Sequence, residues 1–106
     1  MFEALEVSLD LVRSLRRPLS RIRCRDRSLH DQIRSAASSI PLNIAEAGGR
    51  IGRDRVYHWR IASGSAHELR AAIRVAIAWG DVEERDVSEV LQLLDRVLAM
   101  LWRLTR

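Results

Sequence analysis

The run Val87-Ser88-Glu89-Val90-Leu91-Gln92-Leu93-Leu94-Asp95-Arg96-Val97-Leu98-Ala99-Met100-Leu101-Trp102 decides the fold. Wound at roughly 100° per residue, Val87, Val90, Leu91, Leu94, Val97, Leu98, Leu101 and Trp102 share one sector. Ser88, Glu89, Gln92, Asp95, Arg96 and Arg103 fill the opposite face. The spacing predicts an amphipathic helix from Glu83 to Leu104. Its first turn is acidic (Glu83, Glu84, Asp86) and its last turn basic (Arg103, Arg106). Both placements complement the helix dipole.

The same rhythm extends back through the chain. Trp59, Ala62, Ala66, Leu69, Ile73, Ala76 and Ile77 predict a third helix over Arg53–Trp79, stopped by Gly80. Ala62, Gly64, Ser65 and Ala66 are small enough to let a neighbouring helix approach. Leu29, Ile33, Ala36, Ile40 and Ile44 predict a second helix over Ser28–Ala47, with Ser28 as N-cap, a bend at Pro41 and a stop at Gly48-Gly49. Phe2, Leu5, Leu9, Val12, Leu15 and Leu19 predict a first helix over Phe2–Arg23, kinked or ended near Pro18. Four such helices with short connections predict an all-α, antiparallel up-and-down four-helix bundle, a single domain over residues 1–106.

Composition agrees. The 106 residues are 47% apolar and 30% charged, a globular balance in a chain large enough to bury its own core. The single cysteine, Cys24, forms no internal disulfide and suits a reducing cytoplasm. Glu3, Glu6 and Asp10 do not fit the basic start of a signal peptide. No apolar run approaches the roughly 20 residues of a membrane span. A soluble, cytoplasmic protein is expected.

The apolar arc of helix 4 is wider than one core needs. Leu93, Met100 and Leu104 extend it to roughly 200°, against about 100–140° for a helix buried on one side. Leu11 and Ile22 are a similar excess on helix 1. These five residues are the expected oligomer interface.

The formal charge is +4, and all 18 basic residues are arginine. The densest cluster is Arg13, Arg16, Arg17, Arg21, Arg23, Arg25 and Arg27, opposed only by Asp26. A second holds Arg50, Arg53 and Arg55 around Asp54. Two readings stand side by side. The clusters neutralise phosphates of a nucleic acid, or they pair with the acidic stretch Asp81–Asp95 of a neighbouring helix or subunit. No aromatic residue is interleaved, so a bound strand would be held by backbone or shape and not by base stacking.

Other constellations point away from catalysis. Gly48-Gly49-Arg50-Ile51-Gly52 lacks the Gly-Lys-Ser/Thr ending and preceding strand of a phosphate loop. His30, His58 and His67 lack metal-ligand spacing. Ser65 and His67, two apart on one helix, do not face each other. No catalytic residue, metal or cofactor is expected. Asn43 and Glu46 lie near the apolar stripe of helix 2. A polar network with helix 3 is expected there, through Ser65 or an arginine.

The stretch Gln32-Ile33-Arg34-Ser35-Ala36-Ala37-Ser38-Ser39-Ile40-Pro41-Leu42-Asn43-Ile44-Ala45-Glu46-Ala47 resembles the hallmark of the 23S rRNA intervening-sequence protein family, also called four-helix bundle protein. Arg60-Ile61-Ala62-Ser63-Gly64-Ser65-Ala66-His67-Glu68-Leu69 is similar to its second motif, which adds Glu68 to the structural polar set Asn43, Glu46 and Ser65. The chain departs from the pattern at Ala47, where glycine is usual, and at His58-Trp59, where Phe-Leu is usual. The resemblance implies a four-helix bundle that forms a ring-shaped homopentamer. It also implies likeness to the accessory variability protein of diversity-generating retroelements, a basic pentamer that partners a reverse transcriptase and nucleic acid. The expected function is therefore non-enzymatic association with RNA or DNA. The alternative is a protein–protein scaffold or accessory subunit for a partner such as a reverse transcriptase.

Overall fold

The computed structural model describes residues 2–106. It contains α1 (Phe2–Arg25), α2 (Arg27–Gly48), α3 (Gly52–Trp79) and α4 (Ser88–Thr105), the last preceded by a 3-10 turn over Glu84–Val87. There is no strand among the described residues. The molecule measures 42 × 22 × 19 Å. At about 1.5 Å per residue, the 28 residues of α3 alone span the long axis. The rod is thus two helices thick, and every helix packs on two others. No helix is long and apolar enough to cross a membrane.

One residue makes the first corner. The Asp26 N–H donates to the Ile22 carbonyl at 2.7 Å, finishing α1. Its carbonyl accepts from the His30 N–H at 3.0 Å, and its carboxylate accepts from the Leu29 N–H at 2.9 Å. Asp26 is therefore the N-cap of α2, one turn-start earlier than the expected Ser28. Pro18 and Pro41 both lie buried inside continuous helices. Of the two expectations at Pro18, a kink or an end of the regular helix, the end does not occur: α1 runs on through it to Arg25, two residues past the expected Arg23. At the far end of α3, Gly80 takes φ +81, a left-handed geometry that favours glycine. The Asp81 N–H then closes the turn on the Ala76 carbonyl at 2.9 Å.

The core runs the length of the rod. Its fully buried large side chains include Leu11, Leu15, Ile22, Ile33, Ile40, Ile44, Leu69, Ile73, Leu94 and Leu101. On α1 the inward row is Ala4, Val7, Leu11, Leu15, Pro18 and Ile22. This corrects the expectation that Leu11 and Ile22 are surplus residues for an interface, since both are 0% exposed within one chain. Of the row expected in the core, Leu5, Leu9, Val12 and Leu19 are half-buried and Phe2 is exposed. Leu93, Met100 and Leu104 are likewise partly buried and pack on the chain's own core.

The outlook of α3 also needs correction. Its buried alanines, Ala62, Ala66, Ala72 and Ala76, give the close approach to its neighbours. Gly64 is exposed, and a Cβ added there meets nothing within 4 Å.

Two measurements check this arrangement. Leu11→Ala is expected to cost about 2–5 kcal/mol in urea unfolding, whereas Leu9→Ala costs about 1 kcal/mol or less. Equal losses would put Leu9 back in the core. Asp26→Ala removes the corner cap and is expected to cost about 1 kcal/mol.

Candidate nucleic-acid interface

The outer face of α1 carries its arginines because the inner face is fully used by the core. Arg13, Arg16, Arg17, Arg21, Arg23, Arg25 and Arg27 are all exposed. Two are neutralised by carboxylates. Arg13 pairs with Asp10 one turn back at 2.7 Å, and Arg21 pairs with Asp86 at 3.1 Å, tying the end of α1 to the start of α4. Arg16, Arg17, Arg23, Arg25 and Arg27 have no carboxylate within 4.0 Å among the described residues.

The cluster divides over two sides. Arg16 and Arg23, seven residues apart, line the groove between α1 and α2 together with Arg34 and His30 of α2. The groove holds Val12, Leu15, Leu19 and Ala37 between them. Arg13 and Arg17 face the groove between α1 and α4, where Asp10, Asp86 and Glu89 also stand, and Arg16 on the ridge between the grooves borders both. Arg34 was not among the expected site residues. Its position seven residues after Arg27, two turns along α2, is the signal that points to it.

The second cluster does a different job. Arg50 donates to Glu46 at 2.7 Å and to Asp54 at 3.2 Å, bridging the end of α2 and the start of α3. The Arg55 Nε donates to the Arg50 and Ala47 carbonyls at 2.8 and 3.2 Å, and its guanidinium lies 5.9 Å from the centre of the Trp59 ring. These two arginines hold the α2–α3 turn. Only Arg53 of this cluster is exposed without an ion-pair partner among the described residues. The 22 residues of α2 put the Arg25–Arg27 end of the first cluster about 33 Å from the second.

The hydrogen bond and charge of Arg50 hold the Glu46 carboxyl below its ordinary value of 4.5. Glu46 and Asp54 hold the Arg50 guanidinium on the high side in return. A lowered carboxylate favours the fold above its ordinary pKa, and that contribution is lost as pH falls through the lowered value. Both side chains are open to solvent, so water screens the pair.

A polar network does join α2 and α3, with altered membership. The Ser65 Oγ donates to the Ser39 Oγ at 2.7 Å. The Asn43 Nδ2 donates to the Ser39 carbonyl and Oγ at 2.9 and 3.0 Å. The Asn43 Oδ1 meets the His58 Nδ1 at 3.1 Å. Asn43 and Ser65 are thus members, linked by Ser39 and His58. Glu46 is exposed and bound to Arg50, and Glu68 is exposed. Both are outside the network. Ser39 and Asn43 are one helical turn apart, and His58 and Ser65 are two turns apart, which is the sequence signal that was available.

Among the described residues, no group of three or more His, Cys, Asp or Glu side chains is placed to hold a metal ion. The His30 Nδ1 donates to the Asp31 carboxylate at 2.8 Å, and Cys24 is a free, exposed thiol.

The model of a family described as 23S rRNA-intervening sequence protein matches residues 2–103. A solved structure of a protein of unknown function from the S23 ribosomal protein family, from Bacteroides thetaiotaomicron VPI-5482, superposes with a TM-score of 0.86. The two share 19% identity over 97% of this chain and 98% of that one, a likeness of fold. A search of curated proteins finds no match.

Asn43→Ala removes the centre of the network and is expected to destabilise the chain by about 1–2 kcal/mol in thermal or urea unfolding. Glu46→Gln is expected to leave stability at neutral pH unchanged within error. A larger loss for Glu46→Gln than for Asn43→Ala would restore Glu46 to the network.

Proposed function

Because the chain belongs to the 23S rRNA-intervening sequence protein family, we propose that it is a non-catalytic, self-associating protein that holds RNA by its phosphate backbone. The binding surface is the outer face of α1 with the start of α2. The observation that carries this reading is the set Arg16, Arg17, Arg23, Arg25, Arg27 and Arg34, all exposed and none neutralised by a carboxylate within 4.0 Å among the described residues. Guanidinium groups match phosphate geometry with two parallel donors. Concentrated positive charge also gains affinity by releasing counterions from the nucleic acid. With the thiol of Cys24 reduced, a cytoplasmic setting suits this role.

The bundle is read as antiparallel and up-and-down. The ties Glu3–Arg96 and Arg21–Asp86 step in opposite directions along α1 and α4. Ser39–Ser65 and Asn43–His58 do the same along α2 and α3.

Self-association is supported by the outer side of α3. Tyr57, Gly64, Ala71, Val75 and Ala78 are all exposed and share one helical face. Such a face lets a second backbone come close. A mid-helix glycine costs about 1 kcal/mol against alanine, and the chain's own packing gives no reason for Gly64. Identical copies joined head to tail close into a ring when the rotation between them allows it, and five is the number that the family resemblance implies. Ala71→Glu is expected to break the assembly while leaving helicity intact, as read by light scattering. A wild-type mass of 12.1 kDa in dilute solution would sink self-association and leave this face, with the exposed Trp79, to a different protein partner such as a polymerase.

RNA binding is checked by affinity across a salt series. Replacing Arg16, Arg17 and Arg23 together by glutamine is expected to reduce the steepness of log K against log salt by about 2, near 0.7–0.9 per phosphate contact. Arg50→Gln, in a pair that serves the α2–α3 turn, is expected to leave the steepness unchanged. No RNA binding at low salt would end the reading.

A further inference from the structure

The two grooves beside α1 differ in what they can hold. The one against α4 mixes Arg13, Arg16, Arg17 and Arg85 with Asp10, Asp86 and Glu89, so three carboxylates offset most of its positive charge. The one against α2 has no carboxylate on its walls. Its rim carries Arg16 and Arg23 from one side and Arg34 from the other, with the hydroxyls of Ser20 and Ser38. Its floor is apolar: Leu15 and Ala37 are buried, and Val12 and Leu19 are half-buried.

The size of this groove limits its occupant. It encloses about 320 Å³, at the small end of ligand sites. Three cationic forks around a short apolar floor suit a ligand with an anionic edge and one flat, weakly polar body. A partner helix suits it poorly. The α2 wall offers His30, Arg34 and Ser38, with Ala37 alone apolar, so the greasy side of a helix would find cover on one wall only. The ring of His30 is held by Asp31 and presents a further polar edge to the groove.

We infer that the α1–α2 groove takes one unpaired nucleotide of a bound RNA. Its flanking phosphates lie on Arg16, Arg23 and Arg34, and its base lies against Val12, Leu15 and Leu19. This rests on the phosphate-binding reading above and adds a preference to it. Backbone contacts alone accept a paired stem, whereas a groove filled by a base rewards a loop or bulge, where bases are free to leave the stack. Guanidinium planes at the rim offer a stacking surface that the aromatic-free cluster otherwise lacks.

The test compares two RNA probes on the whole protein: a stem with an unpaired loop, and the same stem closed as a blunt duplex. The loop probe is expected to bind about tenfold tighter, the worth of roughly one base contact. Ser38→Leu narrows the groove from its rim on a helix that tolerates leucine. It is expected to remove the loop preference and keep duplex affinity. Equal affinity of the wild type for the two probes overturns the inference and leaves the backbone reading standing. A preference that survives Ser38→Leu overturns it too, because the discrimination then lies elsewhere. Adenosine monophosphate displacing the loop probe at comparable concentration would make the groove a small-molecule site and overturns the assignment to RNA. No binding of either probe removes the backbone reading itself.

Discussion

The whole structure depends on filling a rod only two helices thick with one row of side chains from each helix. A cross-section of 22 × 19 Å leaves room for a single layer of Leu11, Ile33, Ile40, Leu69, Ile73 and Leu94 between the four backbones. Burying each such side chain is worth about 1.5–3 kcal/mol. The inner quarter of each helix is thereby committed. Everything outward of it meets solvent or another molecule, so the character of the surface is set by what is left over. On α1 the remainder is arginine. On α3 it includes one small-residue strip of Tyr57, Gly64, Ala71, Val75 and Ala78, beside charged residues such as Arg60, Glu68 and Arg74.

Close packing at the α2–α3 seam follows from the same constraint. Ala36 and Ala47 on α2 and Ala62, Ala66, Ala72 and Ala76 on α3 are all buried. Such short side chains bring the two backbones near enough for Ser39 to reach Ser65 at 2.7 Å. Partly buried hydroxyl and amide groups are costly without partners. The network satisfies them and permits one axial register, because a slip of one turn would part both cross-links. The polar signature of this seam therefore specifies how α2 and α3 align, and the leucine and isoleucine rows supply the driving force.

Helix number, type and approximate ends were legible from periodicity, because a three-four rhythm with glycine stops has few other readings. On α1 the choice of inward face was not legible. Phe2, Leu5, Leu9, Val12 and Leu19 form one apolar row and Val7, Leu11, Leu15 and Ile22 another. Only packing against α2 and α4 decides between them. Asp26 and Ser28 are both good N-caps, and the carboxylate two residues earlier won because it also completes the corner. The arginines were legible as clusters but not as sites. Whether Arg50 is free or spent depends on Glu46 and Asp54 being one turn away on either side, with the α2–α3 turn folded between them.

Unneutralised charge at one end of the rod needs a reason. Like charges crowded on one surface destabilise a compact state. Carboxylates are close by: Asp81, Glu83 and Asp86 share a groove with Arg21 and Arg25. Yet of these arginines only Arg21 is within ion-pair distance, while Glu83 turns to Arg85 and Asp86 also accepts the Glu83 N–H at 3.0 Å. Glu83 and Asp86 are thus occupied with capping the 3-10 turn before α4 and with pairing to Arg85 and Arg21. This leaves the α1–α2 side positive beside a negative neighbour. Surface ion pairs are worth at most about 1 kcal/mol each, so fold stability gives little reason to pair the remaining arginines. Their exposure has a small cost to the monomer and a large effect on any anion that approaches. Under the proposed function that anion is a phosphate chain, which guanidinium groups meet with two parallel donors.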